Sequence, residues 1–257
     1  MTPSQIPLSI GLALSLGISL CIAAGLVVAV EEWRWLKRRG ALTPAARKEM
    51  RLSLSLLPPN ALISVLMTPL WGAIYLAASQ ISPIHLDLDP LVFLAAFLLA
   101  DLTYYWEHRC AHRVSWLWRL YHAQHHSSPA YTVATAYRVS FLNQALSPAF
   151  YLPAVLLGFP PLLVLGLQLV CFHYQAWLHT EMLGPLGLLD KLCNTPGNHR
   201  IHHSIDVRHR DRNFGAILMI WDRLFGTYAA PAPALEYGIP DCAPPKNWLD
   251  VYLNPWR

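Results

Sequence analysis

Long stretches of the chain carry no charged side chain, and this feature limits the possible folds more than any other. The segment Leu8–Val30 contains no Asp, Glu, Lys or Arg. As a helix that rises about 1.5 Å per residue, it is long enough to cross a hydrocarbon core of about 30 Å. Because no basic residue precedes Arg34, the segment lacks the charged start of a signal peptide, and we interpret it as a retained anchor. With 54% hydrophobic and 13% charged residues, the chain is predicted to be an integral membrane protein.

Two further apolar regions in the first half of the chain predict membrane helices. The second span is expected within Leu52–Ser79, where Pro58-Pro59 marks its start because proline is tolerated in the first turn of a helix. A third span begins near Leu91 and becomes more polar after Ala100.

The second half of the chain contains one more apolar region, Val139–Thr180, which carries no Asp, Glu, Lys or Arg. Gly158-Phe159-Pro160-Pro161 interrupts this region with residues that favour a turn. We expect a hairpin of two short helical segments at 141–178, which either crosses the bilayer or enters and returns on one side. The predicted fold is all-α, a bundle of about four transmembrane helices with a cytoplasmic helical cap.

Basic residues predict the orientation, because Lys and Arg collect on the cytoplasmic side of membrane segments. Of the 19, seven lie between the first two spans, four lie from Arg109 to Arg138, and eight follow Thr180. With the N-terminus outside, all of them fall on the cytoplasmic side. Membrane topology thus explains the net charge of +4, and nucleic acid is not an expected partner.

Histidines cluster in a pattern that predicts a metal site. None of the 12 precedes His85, and eight occur in three boxes, one H-x3-H and two copies of H-x2-H-H. On a helix, spacings of three and four place the side chains on one face, where they can bind a common metal. The boxes comprise His108 and His112, then His122, His125 and His126, then His199, His202 and His203. His179 is a ninth candidate ligand and His173 a tenth.

The number of histidines indicates two metal ions, because one tetrahedral metal takes four ligands. Imidazole binds iron, zinc, copper and nickel, so the ligand type leaves the metal open. A metal-binding or metal-transporting membrane protein is the alternative from another class. Transport sites lie near the bilayer midplane, whereas these boxes begin where the predicted spans end.

Two acidic residues accompany the first box. Asp101 lies seven residues before His108, about two helical turns, and a carboxylate inside an apolar span requires a role. It either accepts a hydrogen bond from a ligand imidazole and fixes its tautomer or makes a polar contact at a helix interface. Glu107 is expected on another face of the helix, solvated or bonded to Arg109 or Arg113.

The boxes and the residues around them resemble the fatty acid hydroxylase and sterol desaturase superfamily of membrane di-iron oxygenases. Beyond the histidines, the likeness rests on Trp177-Leu178-His179-Thr180 with Asn194-Thr195-Pro196, and on Asp211-Arg212-Asn213-Phe214-Gly215 followed by 221–228. The resemblance covers about Leu91–Tyr228. From 177 to 228, the chain looks more like the sterol and alkylglycerol branch than the ceramide hydroxylases. Asn213 and Asp222 match family positions that support the site without binding metal.

The resemblance implies two iron ions bound by these histidines and O2 as co-substrate. The implied reaction is hydroxylation of an unactivated C–H bond in a membrane lipid, either a sterol, a fatty acyl or an ether lipid. A lipid desaturase with the same di-iron site is the alternative, because the two reactions differ in substrate positioning. Iron suits this chemistry since it changes oxidation state, which zinc does not.

The resemblance also implies partners and a division of the chain. Because no haem motif and no nucleotide-binding glycine fingerprint occurs, electrons are expected from a separate reductase or carrier. Arg208, Arg210 and Arg212 form a basic surface that would dock such a carrier or bind anionic lipid headgroups.

The domains are then a membrane anchor with a basic cytoplasmic segment at 1–50, a di-iron hydroxylase domain at 51–230 and a C-terminal tail at 231–257. The expected location is a bacterial inner membrane, or the endoplasmic reticulum in a eukaryote, and the oligomeric state is left open.

Overall fold

The computed structural model describes residues 8–233 and 235–256. Within these ranges the regular elements are helices, and two isolated β-bridges extend into no strand. The α-helices are α1 (Leu8–Arg38), α2 (Pro44–Ser55), α3 (Leu57–Gln80), α4 (Pro90–Arg113), α5 (Ser115–Leu117), α6 (Ala123–His126), α7 (Phe141–Leu146), α8 (Leu152–Leu156), α9 (Pro161–Tyr174), α10 (Leu188–Leu192), α11 (Pro196–His203), α12 (Ile220–Leu224) and α13 (Trp248–Leu253). Tighter or wider helical turns cover Trp118–His122, Val133–Tyr137, Ser147–Tyr151, Gln175–Leu178 and Asn254–Trp256. The all-α prediction is confirmed.

Three helical segments are long and apolar enough to cross a membrane, namely Gly11–Arg38, Pro44–Gln80 and Pro161–Leu178. They correspond to the predicted anchor, the predicted second span and the second half of the predicted hairpin. Large apolar side chains such as Leu62 and Val65 are exposed on these helices, as expected for side chains that face lipid. The chain is an integral membrane protein.

The predicted third span and the first half of the hairpin differ from expectation. The region from Leu91 forms α4, but charged residues including Asp101 lie in its second half, and α4 is not among the segments apolar enough to span. In the hairpin, short helical turns cover 141–156, because Pro148 and Pro153 lack the backbone N–H that a continuous helix needs. The described residues thus contain three candidate spans, where the sequence predicted about four.

Helix α9 lies at the centre of the membrane helices and packs against α1, α3 and α4. Gly166 permits the close approach of α1, because a Cβ at this position would lie 2.6 Å from the Leu14 side chain. Tyr75, Ala100 and Leu163 form part of the buried core between these helices. This core fixes α4, whose last turns carry the first histidine box.

Buried polar contacts join α1 and α2 to the segment that follows the second box. Arg138 is fully buried, and its guanidinium donates to the Glu49 carboxylate at 2.7 Å and to the Ser53 hydroxyl at 3.0 Å. Glu32 accepts a hydrogen bond from the backbone N–H of Val133 at 2.8 Å. Helices α1 and α2 therefore pack against the histidine-bearing part of the chain, and the domain division after residue 50 stays a prediction.

Candidate metal centre

The first histidine box lies in the last two turns of α4. Asp89 caps this helix by accepting a hydrogen bond from the backbone N–H of Val92 at 2.7 Å, and the helix continues without a break to Arg113. His108 and His112 therefore share a helical face, and their ring centroids lie 5.3 Å apart.

The two H-x2-H-H boxes lie on short helices. The first spans a wide helical turn, Trp118–His122, and continues through α6. The second ends α11, which Thr195 caps by accepting from the backbone N–H of Asn198 and which Pro196 begins. Helices this short are marginal alone, so the packing around them determines where their imidazoles lie.

The eight box histidines and His179 form two groups, within each of which the candidate ligand atoms lie within 4.8 Å of one another. The first group contains His108, His112, His122, His126 and His202, and the second contains His125, His179, His199 and His203. Each H-x2-H-H box contributes to both groups, a division that the prediction of one shared face did not anticipate. Each group offers at least the four ligands of a tetrahedral site.

The Nε2 atoms converge within each group. His122 Nε2 lies 3.0 Å from His108 Nε2 in the first group. In the second group, His179 Nε2 lies 3.0 Å from His125 Nε2 and 3.1 Å from His199 Nε2. Four nitrogens placed tetrahedrally about 2.0 to 2.1 Å from a metal are about 3.3 Å apart. The spacing of these nitrogens therefore suits a metal ion at the centre of each group.

Backbone carbonyls fix the tautomer of three imidazoles. The pairs are His108 Nδ1 with Phe214 O at 3.0 Å, His179 Nδ1 with Gln175 O at 2.9 Å, and His202 Nδ1 with Arg212 O at 2.9 Å. A carbonyl oxygen only accepts, so each Nδ1 carries the proton and each Nε2 presents a lone pair to its group. Imidazoles that bind metal ions are oriented in this way, and the donor set thus fits a metal.

Burial keeps the imidazoles neutral. It lowers the pKa of His179 to about 3 and that of His202 to about 4 from an ordinary value of 6.5. It also holds the pKa of His125, His199 and His203 well below that value. Since neutral imidazole is the form that binds a metal ion, the cluster is in its binding form at neutral pH.

The loop after α11 supplies the carbonyls that orient His108 and His202. Asp222 holds this loop, because its carboxylate accepts from the backbone N–H groups of Phe214 and Gly215, each at 2.8 Å. The loop and Asp222 belong to the two stretches that carry the resemblance beyond the histidines. These stretches orient His108 and His202 through the loop carbonyls and do not themselves belong to a histidine group. The histidine spacing alone did not predict this role.

Asp101 supports the same loop. Its fully buried carboxylate accepts from the backbone N–H groups of Ile217 at 2.9 Å and Leu218 at 3.3 Å, and from the indole N–H of Trp221 at 2.8 Å. Of the two roles that the sequence left open, these partners match the polar contact at an interface and not the bond to an imidazole. Asp101 thereby attaches the ligand-orienting loop to α4.

An apolar cavity of about 810 Å³ lies between the histidines and the membrane helices. Imidazoles of both groups, among them His108 and His199, contribute to its lining. Apolar side chains of α3 and α9, among them Trp71, Leu165 and Phe172, also line it. Sites for small molecules have volumes of about 300 to 1,000 Å³, so the cavity is large enough to hold a ligand beside the cluster.

Two residues lie elsewhere than the sequence suggested. His173 is in neither histidine group; its Nδ1 lies 2.8 Å from the carbonyl of Leu169 and it lines the cavity. The prediction that Glu107 is solvated is wrong, since it is 5% exposed, accepts a hydrogen bond from Ser147 and also lines the cavity. The cavity therefore contacts both Glu107 and His108, which were expected on different faces of α4. No sequence pattern predicted this.

The fold and the site define an integral membrane protein with a nine-histidine cluster, able to bind metal, beside an apolar cavity. The profile of the fatty acid hydroxylase family matches residues 93–227, just over half of the chain. The chain belongs to the fatty acid hydroxylase family, and the resemblance found in the sequence is confirmed.

Relatives with assigned names are lipid hydroxylases and monooxygenases. An alkylglycerol monooxygenase of Danio rerio is 43% identical over 144 residues, which cover 56% of this chain and 32% of the relative. The ornithine lipid hydroxylase OlsE of Rhizobium tropici is 33% identical over 56% of this chain and 44% of its own. The human cholesterol 25-hydroxylase is 29% identical over 55% of this chain and 53% of its own. The chain spans about a third of the length of the alkylglycerol monooxygenases that it matches, and no solved structure matches it significantly.

Proposed function

We propose that the chain is an O2-dependent di-iron monooxygenase that hydroxylates an unactivated C–H bond of a membrane lipid. The observation that carries this proposal is the cavity, because histidines of both groups and side chains of membrane helices line it together. A hydrocarbon chain that moves from the bilayer into this cavity stays in apolar surroundings. The names of the relatives, all lipid hydroxylases or monooxygenases, support the same reaction class.

Two iron ions would be held by the two histidine groups. One would be bound by His108, His112, His122, His126 and His202, and the other by His125, His179, His199 and His203. Iron, when bound, supplies the change of oxidation state that lets O2 attack a C–H bond. The backbone carbonyls keep the imidazoles in the metal-binding tautomer, and the burial of the cluster limits the access of bulk water.

The membrane orientation and the electron donor belong to the same proposal. The N-terminus lies outside and the histidines face the cytoplasm, as the distribution of basic residues suggests. A separate reductase or carrier delivers electrons at the basic segment that includes Arg208, Arg210 and Arg212. In this segment Arg208 pairs with Asp206 at 2.5 Å, and the Arg212 guanidinium donates to the carbonyl of Gly226 at 2.9 Å.

Product analysis tests the proposal. Iron-loaded protein in lipid vesicles is given isotopically labelled O2, a chemical reductant and a lipid probe, either a 1-O-alkylglycerol or an ornithine lipid. We expect a product that has gained one labelled oxygen atom, and no such product from the His125→Ala variant. Loss of two hydrogens would indicate a desaturase. Metal flux across the vesicles without O2 consumption would indicate a transporter and contradict the proposal.

A further inference from the structure

Six residues that line the cavity have a buried polar atom without a partner among the residues that the structure describes. Three of these atoms, on His125, Gln175 and His199, belong to the histidine cluster or to the turn before His179. The other three are Glu107 Oε2, the Tyr121 hydroxyl and the Tyr151 hydroxyl. The three side chains are 5%, 1% and 1% exposed. A buried polar atom without a hydrogen bond is unfavourable, and native proteins contain few of them. Such atoms in the lining of one cavity therefore indicate a ligand that supplies the missing partners.

The three groups lie close together and next to the histidine cluster. Glu107 precedes His108 in α4 and accepts a hydrogen bond from Ser147, which begins the helical turn that ends at Tyr151. This turn packs against α4. Tyr121 lies one residue before His122 and lines the same cavity. The unpartnered atoms thus belong to the same cavity lining as the imidazoles.

The chemistry of these atoms defines the ligand group that would satisfy them. A tyrosine hydroxyl donates and accepts hydrogen bonds, and a carboxyl group accepts when ionised and also donates when protonated. A group that both donates and accepts, such as a hydroxyl or an amine, can therefore pair with all three, whichever form Glu107 takes. A bare hydrocarbon would leave all three atoms without a partner, and an ether, which only accepts, would offer them no hydrogen.

We propose that Glu107, Tyr121 and Tyr151 form a polar subsite that binds a hydrogen-bond-donating group of the lipid substrate beside the histidine cluster. This inference rests on the proposed function and deepens it. The substrate class is an aliphatic lipid with a free hydroxyl or amino group. The subsite holds that group near the cluster, while the alkyl chain extends along apolar residues such as Leu165 and Phe172, which line the same cavity.

The test is ligand binding, which needs neither O2 nor reductant. Purified, metal-loaded full-length chain is titrated with three lipids that share one alkyl chain and differ at the head: a free 1-O-alkylglycerol, its fully O-methylated ether and the corresponding primary amine. We expect the glycerol or the amine to bind about tenfold tighter than the methylated ether, the factor that one buried hydrogen bond provides. Tighter binding of the glycerol or of the amine identifies which donor the subsite takes. Equal affinity for all three would overturn the subsite.

Matched variants assign the preference to these residues. Glu107→Leu is expected to lose the preference for the free head group, and Tyr121→Phe and Tyr151→Phe are each expected to reduce it. Thr68→Val, which removes a hydroxyl from another part of the same cavity, is the control and is expected to keep it. An unchanged preference in Glu107→Leu would contradict the proposal.

A thermal unfolding measurement separates binding from a structural role. Glu107→Leu loses the hydrogen bond from Ser147 but also removes a buried oxygen that has no partner among the described residues. Because these two effects offset each other, the variant without lipid is expected to have about the same Tm as the unmodified chain. A clear decrease in Tm would show that Glu107 supports the fold and would overturn the subsite. If the chain shows the head-group preference but forms no oxygenated product, the proposed function fails and the subsite stands.

Discussion

The two histidine groups draw on the same H-x2-H-H boxes, but different parts of the chain orient them. In the first group, His108 and His202 donate to carbonyls of the loop after α11, which Asp222 and Asp101 hold in place. In the second group, His179 donates to a carbonyl of its own helical turn, and the buried Nδ1 of His199 has no partner among the described residues. Ligands whose second nitrogen is held bind metal more tightly. The first group is therefore expected to have the higher metal affinity.

Removing one ligand from either group has the largest expected effect. His202→Ala in the first group and His125→Ala in the second should each lower the iron content and abolish turnover, while the chain stays in the membrane fraction. The measurements are iron per chain and product formation. His85→Ala, which changes an exposed histidine outside both groups, is the control and should retain iron and activity. Normal activity in either ligand variant would contradict the grouping.

His179 and His173 lie at or just after the end of α9, and only His179 is in a histidine group. His179→Ala should lose most of the activity and metal, because it removes a nitrogen that faces His125 and His199. His173→Ala should have a smaller effect on metal content, since its Nδ1 contacts the carbonyl of Leu169. The comparison uses iron analysis and activity of the two variants side by side. A larger loss of metal in His173→Ala would show that the second group is wrongly assigned.

Disturbing the loop should affect the two groups unequally. In Asp222→Asn, an amide replaces one of the carboxylate oxygens that accept from Phe214 and Gly215, so the loop no longer holds His108 and His202 firmly. We expect the metal affinity of the first group to fall about 10- to 100-fold and that of the second to change less. Competition with a chelator, followed by metal analysis, measures the two affinities. Equal losses at both sites would remove the distinction between the groups.

The metal-free protein should become less stable in acid. Burial lowers the pKa of His179 to about 3 and of His202 to about 4, whereas both have a pKa near 6.5 in the unfolded chain. Between these values the unfolded chain binds more protons than the folded one, so stability is complete above about pH 6.5 and decreases as pH falls towards 4. Thermal unfolding of metal-free protein from about pH 7.5 to 5 checks this. His179→Phe should have a shallower dependence, and a Tm that rises in acid would contradict the neutral cluster.

The sequence predicted the elements whose signal is local. The uncharged run Leu8–Val30 specifies a membrane helix by its length alone, and the spacing of His108 and His112 specifies a shared face of α4. The family was recognisable for the same reason, because its boxes and flanking motifs are contiguous in the chain. These features need no knowledge of what packs against them.

The features that the sequence missed depend on distant packing. The division of each H-x2-H-H box between two groups arises where α6 and α11 meet, 76 residues apart at the contact of His126 with His202. The partners of Asp101 lie 116 to 120 residues away in the loop after α11. Glu107 was expected to be solvated or bonded to Arg109 or Arg113, which follow it in sequence, but it is buried and accepts a hydrogen bond from Ser147. A single sequence without tertiary contacts contains no signal for these pairings.

The measurement that tests the central claim most directly is Mössbauer spectroscopy, with metal analysis, on protein purified from cells grown with isotopically enriched iron. The two histidine groups predict two iron ions per chain, close enough to be magnetically coupled. The His202→Ala variant should lose that coupling. A single mononuclear iron, or zinc that exchanges reversibly with no iron bound after anaerobic reconstitution, would contradict the account.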